Sequence, residues 1–149
     1  MCSSDLLAMG DLDFFKLIND QHGHEVGDQS LRTFADALRS ATRADVDIVA
    51  RWGGEEFAVL LPNASMSEAI DIVTRVRDTL RAATLRMPPA FTSSWGLALV
   101  TDGPLTSVIQ RADRALYEAK ERGRNCWVIA QSDTAALDPA SMSTEADVR

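Results

Sequence analysis

Two adjacent glycines divide residues 47–61 into two segments that have the composition of β-strands. Apolar residues dominate both the segment before Gly53-Gly54 and the segment after it. A glycine pair between two such segments is typical of a two-residue hairpin turn, because glycine adopts the positive φ values that these turns need. The sequence therefore predicts an antiparallel pair of strands over residues 47–52 and 55–61.

Two carboxylates follow the glycines directly. Glu55 and Glu56 stand where the second strand starts, although acidic residues are depleted in strands. One interpretation is that they are solvated surface charges, and the other is that they bind a metal ion or accept a proton. Asp11 ends another apolar segment, residues 6–9, and would lie beside them if the two strands are neighbours. Paired carboxylates suit Mg²⁺, which leaves positions open for substrate phosphates.

The rest of the chain alternates between helical and strand-like patterns. Apolar residues recur with helical spacing after Asp28, Ser65 and Thr106, each of which is a possible N-cap, and a shorter helical segment spans residues 13–23. Further strand-like segments cover residues 91–100 and 126–130. The order strand, helix, strand, strand, helix, strand, helix, strand predicts an α+β fold whose mixed sheet is flanked by helices.

Composition limits the class of protein. The chain has 149 residues, of which 46% are hydrophobic and 25% charged, and this predicts one soluble domain over residues 6–130. The net charge of −7 argues against nucleic-acid binding, and no apolar run approaches the ~18 residues of a membrane helix. Two cysteines without metal-ligand spacing indicate a cytoplasmic location. Residues 1–5 precede the first strand, and residues 131–149 are predicted to be a disordered tail.

Three segments resemble the signatures of GGDEF-domain diguanylate cyclases. They are DLDFFKLINDQHGHEVGD at 11–28, RWGGEEF at 51–57 in its GGEEF form, and RADRALYEAKERGRN at 111–125. Three signatures in the family's order are far more specific than one short motif. The resemblance covers roughly residues 6–130, and it implies a largely antiparallel, nucleotidyl-cyclase-like fold. Such a fold has a ferredoxin-like βαββαβ core with the GGEEF hairpin at the active site.

The resemblance also implies a reaction. Two GTP molecules, one on each protomer of a facing homodimer, would condense to cyclic di-GMP and release diphosphate. Mg²⁺ or Mn²⁺, with two ions per active site, would assist the attack of each 3′-hydroxyl on the other α-phosphate. The alternative is a catalytically inactive GGDEF module that binds GTP or cyclic di-GMP for signalling or docking.

The family's site residues carry over to matching positions of this chain. Asp11, the Leu12 carbonyl and Glu55 would hold the metal, and Glu55 or Glu56 would activate the 3′-hydroxyl. Lys16 would stabilise charge on the triphosphate. The backbone N–H groups of Phe14 and Phe15 would bind the substrate, and the rings of these two residues are expected in the core. Asn19, His24 and Asp28 would lie around guanine and ribose. Lys120 and Arg124 would contact the phosphates. A carboxylate such as Asp28 favours guanine, which has N–H donors that adenine lacks.

The sequence departs from the family pattern in two places. Family members usually carry a helix and an Asp-x-Leu-Thr-x-Leu-x-Asn-Arg-Arg segment before the first strand, so this chain is expected to be N-terminally truncated. Relatives also carry an upstream sensory or receiver domain, which makes such a domain an expected partner. The product-inhibition site, Arg-x-x-Asp, is degenerate: Asp47 fits, Ala44 replaces the arginine, and Arg43 is one residue early. Arg75 matches a secondary product contact.

Overall fold

Five strands and four helices make up residues 4–131, which are the residues that the computed structural model describes. The strands are β1 (Ser4–Leu12), β2 (Ile48–Arg51), β3 (Glu56–Ala64), β4 (Ser93–Leu99) and β5 (Trp127–Ile129). The helices are α1 (Phe15–His22), α2 (His24–Ala41), α3 (Met66–Arg86) and α4 (Leu105–Glu121). None of these helices is long and apolar enough to cross a membrane. The tail predicted after residue 131 lies outside the described residues.

The strands form one sheet in the order β2-β3-β1-β4-β5. β1 is antiparallel to both of its neighbours, β2 is antiparallel to β3, and β5 is parallel to β4. β1 and β2 therefore run in the same direction with β3 between them, which is the split arrangement of a ferredoxin-like βαββαβ unit. The predicted α+β class and the largely antiparallel sheet are confirmed, and β5 extends the core by one parallel strand.

The central strand β1 is buried on both faces. Leu6, Ala8 and Leu12 belong to the large apolar cluster that includes residues of α2 and α3. Leu7 and Met9 point the other way and pack against α4. Because successive strand residues face opposite sides of the sheet, a strand between two helical layers is apolar at almost every position. This explains why the segment lacks the alternating pattern of a half-exposed strand.

The predicted turn of the β2–β3 hairpin is wrong. β2 ends at Arg51 and β3 begins at Glu56, and neither hairpin glycine has a positive φ. The loop is instead closed by N–H groups of Trp52 and Gly53, which donate to the Glu56 carbonyl at 2.7 and 3.1 Å. The Arg51 guanidinium also donates to the Gly54 carbonyl at 2.6 Å. These hydrogen bonds favour a wider loop than the two-residue turn.

The predicted helix starts had mixed outcomes. The Ser65–Glu68 capping box is confirmed, because each residue's side chain bonds to the other's backbone N–H. Asp28 is not an N-cap: α2 begins four residues earlier, directly after Gly23, whose φ of 91° turns the chain sharply out of α1. Asp28 thus lies within the helix.

Thr106 is not an N-cap either. Pro104 occupies that position with a φ of −70°, and α4 begins at Leu105. The predicted C-terminal end is confirmed, because Gly123 follows Arg122, the C-cap, with a φ of 113°. A glycine in this conformation is the commonest way for a helix to end.

Gly96 is the point where α4 approaches the sheet most closely, and its replacement by alanine should destabilise the fold. A Cβ at this position would lie 2.1 Å from the Ala112 carbonyl oxygen and 2.5 Å from the Leu116 nitrogen, which are backbone atoms of α4. We expect Gly96→Ala to lower the free energy of unfolding by about 3 kcal/mol, at the upper end for overpacking. Urea unfolding measures the change.

Gly54→Ala is the matched control for this substitution. No atom lies within 4 Å of a Cβ built at Gly54. Its free energy of unfolding should stay within about 0.5 kcal/mol of that of the unsubstituted chain. Equal stability of the two variants would contradict the direct packing of α4 on Gly96.

Candidate active site

β1 and β3 bring carboxylates together at one end of the sheet. Asp11 lies opposite Glu56 in the antiparallel register, and opposite residues of neighbouring strands project from the same face. The Leu12 N–H donates to the Glu55 carbonyl at 3.3 Å, so Glu55 is held at the same end. The prediction that these strands are neighbours is confirmed, and the three carboxyl groups lie where a ligand can meet them from the hairpin side.

Lys120 reaches this end of the sheet from the last turn of α4. Its ammonium group pairs with the carboxylate of Asp11, whose side chain is only 8% exposed. Burial raises the pKa of Asp11, and the bond and charge of Lys120 oppose that rise. The charge of Glu55 raises it further, so the net direction is upward. Lys120 therefore neutralises only part of the acidic cluster.

Glu56 has the most strongly perturbed acidity in the cluster. Burial raises its pKa to about 7, with further contributions from the charge and hydrogen bond of Asp113 and from the charge of Asp11. Asp113 is an exposed residue of α4 that the sequence analysis did not single out. The available signal was its spacing: it precedes Lys120 by seven residues, which is about two helical turns, so both lie on the same face.

The acidic cluster fits a divalent cation that also binds substrate. Within residues 4–131, no group of three Asp, Glu, His or Cys side chains is arranged to hold a metal ion by itself. Mg²⁺ is commonly held by only one or two carboxylates and completes its shell with water and phosphate oxygens. Burial is the main reason that the pKa values of Asp11 and Glu56 are raised, and the neighbouring carboxylates add to the rise, so a cation at this place would stabilise their charged forms. The donor set therefore suits a metal that arrives with a nucleotide.

The residues predicted to read the base lie on α1 and α2. The Asn19 amide packs against Gly27, where an added Cβ would lie 1.8 Å from its Oδ1. Gly27 directly precedes Asp28, which is exposed and lines an open groove of about 590 Å³ between α2 and the hairpin strands. His24 is exposed at the start of α2, and Lys16 is exposed in the first turn of α1. Asn19 thus lies next to the backbone of α2 one residue before Asp28, and a shared role of the two side chains stays a prediction.

Phe14 is on the surface, which corrects the expectation that its ring lies in the core. The residue is 58% exposed and adopts a left-handed conformation with a φ of 57° directly before α1. The Arg124 guanidinium lies over the ring, with Cζ 4.7 Å from the ring centroid. Phe15 packs against the main core as a partly buried residue, as expected. The turn after β1 places the Phe14 ring outside because the chain needs a left-handed residue to enter α1.

Asp13 is a second acidic residue that the sequence analysis missed. Its buried carboxylate accepts hydrogen bonds from the hydroxyls of Thr92 and Ser94, both at 2.6 Å, and from the Asn125 N–H at 3.0 Å. These bonds connect the β1–α1 turn to β4 and to the loop after α4. Asp13 therefore anchors the turn that carries Phe14 and the loop that carries Arg124.

The residues of the predicted product site lie at the other end of β3. The Arg43 guanidinium pairs with Asp47 at 2.7 Å and donates to the Pro62 carbonyl at 2.8 Å. Arg75 donates to the Ala41 carbonyl at 2.9 Å. These contacts tie the loop between α2 and β2 to its surroundings, and a regulatory role for these residues stays a prediction.

The chain matches a known family over most of its length. The family described as diguanylate cyclase, GGDEF domain, matches residues 3–126. Diguanylate cyclase A of Treponema denticola is 39% identical over 135 residues, which cover 85% of this chain and 35% of that protein. The matches cover between 19% and 35% of the length of the curated relatives.

Solved structures show the same fold. The diguanylate cyclase SiaD of Pseudomonas aeruginosa, in complex with its activator SiaC, aligns with a TM-score of 0.79 and 39% identity. That alignment covers 86% of this chain and 50% of SiaD. The active GGEEF domain of a diguanylate cyclase from Vibrio cholerae aligns with a TM-score of 0.78 and 30% identity, covering 87% and 85% of the two chains.

Removal of the Asp13 carboxylate should weaken the fold around the site. Asp13→Ala leaves the hydroxyls of Thr92 and Ser94 and the Asn125 N–H without their acceptor. We expect the free energy of unfolding to fall by about 3 kcal/mol, since Ser94 is buried and Thr92 half-buried, and each buried unsatisfied group costs about 1–3 kcal/mol. Urea unfolding measures this, with exposed Asp20→Ala as the control. A loss no larger than that of the control would mean that Asp13 is not an anchor.

The raised pKa of Glu56 predicts a pH dependence of stability. Between its ordinary value of 4.5 and about 7, the folded state holds a proton that the unfolded chain has released. Linkage then requires the free energy of unfolding to fall as the pH rises through this window. With EDTA present, we expect Glu56→Gln to reduce that slope in denaturant titrations. Asp113→Asn should also reduce the slope of the free energy of unfolding against pH. Unchanged slopes in both variants would contradict the raised pKa of Glu56.

Proposed function

Because the chain belongs to the GGDEF-domain family of diguanylate cyclases, we propose that it forms cyclic di-GMP from two GTP molecules. The observation that carries the proposal is the juxtaposition of Asp11 and Glu56 on neighbouring strands, with Glu55 beside them and Lys120 facing them. Carboxylates opposite cationic groups suit a metal-bound triphosphate. The substrate, the product and the partners of the whole protein are parts of this proposal.

Asp11, the Leu12 carbonyl and Glu55 would hold Mg²⁺ or Mn²⁺, with two ions in a complete site. When bound, such ions stabilise charge on the attacking and leaving oxygens of a nucleotidyl transfer. Burial of Asp11 keeps this ligand fixed in place. Lys120, which pairs with Asp11 in the structure, would be in reach of the triphosphate of a metal-bound nucleotide at this site.

The remaining residues would bind and orient GTP. Lys16, Lys120 and Arg124 supply positive charge for the phosphates, and the backbone N–H groups of Phe14 and Phe15 start α1, where anions are favoured. On the other side of α1, Asn19 and Asp28 would contact guanine, with His24 near the ribose. In this arrangement the phosphates would lie at the N-terminal end of α1, and the base would lie further along the same helix.

The reaction needs two active sites that face each other. The 3′-oxygen of one GTP forms a bond to the α-phosphorus of the other, and the bond to diphosphate breaks. The proton of the 3′-hydroxyl passes to a carboxylate, for which we assign Glu55, and a second identical step closes the ring. Since each bound GTP supplies one nucleophile and one electrophile, a homodimer of this domain is the expected catalytic unit.

A second candidate is a binding module without turnover. Such a module would bind GTP or cyclic di-GMP and act through docking. The two candidates differ in one observable, which is the appearance of cyclic di-GMP.

Glu55→Gln should abolish turnover while leaving the fold intact. The amide keeps the size of the side chain but cannot accept the 3′-hydroxyl proton or hold a cation as firmly. We expect kcat to fall by at least about 100-fold, in the range for loss of a general base. The full chain is incubated with GTP and Mg²⁺, and cyclic di-GMP is detected by chromatography with mass detection.

The control is Asp71→Asn, which neutralises an exposed carboxylate of α3 away from the site. Its rate should equal that of the unsubstituted chain. An unchanged rate in Glu55→Gln would defeat the assignment of this residue. Metal-dependent GTP binding by a folded chain that yields no product would instead favour the binding module.

A further inference from the structure

The Phe14 ring and the Arg124 guanidinium form a contact that the proposed roles do not use. Phe14 was assigned a role only through its backbone, and Arg124 only through its charge. Cζ of Arg124 nevertheless lies 4.7 Å from the centroid of the ring, within the range of a cation–π interaction. A phenylalanine that is 58% exposed contributes little to the core, so the contact with Arg124 is the interaction that accounts for an aromatic ring at this position.

Both residues are held in an unfavourable backbone conformation. Phe14 has a φ of 57° and Arg124 a φ of 67°, and non-glycine residues rarely adopt such values unless the surroundings impose them. Asp13 precedes Phe14 and accepts a hydrogen bond from the N–H of Asn125, the residue after Arg124. One buried carboxylate therefore links the turn that carries Phe14 to the loop that carries Arg124, whose guanidinium lies over the ring.

Stacking leaves the hydrogen-bonding edge of a guanidinium available. The donors of arginine lie in the plane of the group, so an aromatic ring beneath one face does not compete with an anion at the edge. The ring also restricts the rotamers of a long side chain whose ordering otherwise opposes binding. Arg124 is thus oriented before a ligand arrives.

We infer that the Phe14 ring is a positioning residue for Arg124, and that it orients the guanidinium for the phosphates of GTP. This inference rests on the proposed function for the identity of the ligand. It concerns the affinity for the nucleotide and not the chemical step, since the contact on which it rests is with Arg124, a proposed phosphate-binding residue.

A double-mutant cycle tests this coupling. The proteins are the full chain, Phe14→Leu, Arg124→Gln and the double variant, with Phe14→Tyr as the conservative replacement. The Kd for GTP is measured by equilibrium dialysis with Mg²⁺, and thermal unfolding by circular dichroism confirms that each protein is folded. Phe14→Leu should weaken GTP binding about five-fold in the unsubstituted background, as expected for an exposed cation–π contact.

In the Arg124→Gln background, the same leucine substitution should have little effect, and Phe14→Tyr should retain the affinity of the unsubstituted chain. Steady-state rates should show a higher KM with unchanged kcat for Phe14→Leu. An equal loss of affinity in both backgrounds, or no loss in the unsubstituted background, would overturn the inference. So would the absence of GTP binding to the unsubstituted chain.

A ligand-free measurement checks the geometry. The side-chain protons of Arg124 above an aromatic ring resonate upfield, and NMR should show this shift in the full chain and in Phe14→Tyr but not in Phe14→Leu. Arg124 resonances that do not differ between the full chain and Phe14→Leu would overturn the inference. A chain that binds GTP without forming cyclic di-GMP would defeat the proposed reaction, whereas the cycle of Kd values would still decide the role of Phe14.

Discussion

The buried carboxylate of Asp13 connects the segments on which the candidate site depends. It joins the end of β1 to β4 and to the loop after α4, across sequence separations of 79 to 112 residues. Burial of a carboxylate is costly unless hydrogen bonds compensate, and here its donors come from three different residues. Because Asp11 and Phe14 lie on one side of this anchor and Arg124 on the other, the spacing between metal ligands and phosphate ligands follows from a single hydrogen-bonded centre.

Successive side chains of β1 point to opposite faces of the sheet, so residues of the core and residues of the candidate site lie on different faces. Leu12 faces the apolar cluster beneath α2 and α3, whereas Asp11 faces the side covered by α4. Lys120 neutralises only part of the carboxylate charge on the α4 side, and burial, together with the charges of Asp113 and Asp11, raises the pKa of Glu56 to about 7. Carboxylates with raised pKa values are common at functional sites, and their place at one end of the sheet supports the proposed role in binding a cation.

The sequence predicted the features that depend on local pattern and missed those that depend on packing. Helical periodicity located the helices, and the hairpin signal together with the family signatures brought Asp11 and Glu55 to one edge. The predicted start of α2 at Asp28 was too late, because the turn at Gly23 lets the helix begin at His24, before the apolar residues that mark it in the sequence. Asp13 and Asp113 escaped notice because their partners lie on β4, β3 and the loop after α4, and only the register of the sheet and the position of α4 bring them together.

Lys120 and Arg124, the two proposed phosphate-binding cations of the third signature, are four residues apart but have different partners in the structure. Lys120 carries a compact charge on a flexible stem and pairs with Asp11, so it balances the acidic cluster when no nucleotide is present. Arg124 lies on Phe14 and keeps a planar set of donors at the opposite side of the α1 turn. An arriving metal-bound triphosphate would displace the first cation from its carboxylate and meet the second already oriented. The site therefore holds one cation paired with a carboxylate and one placed over an aromatic ring, the first from the last turn of α4 and the second from the loop that follows it.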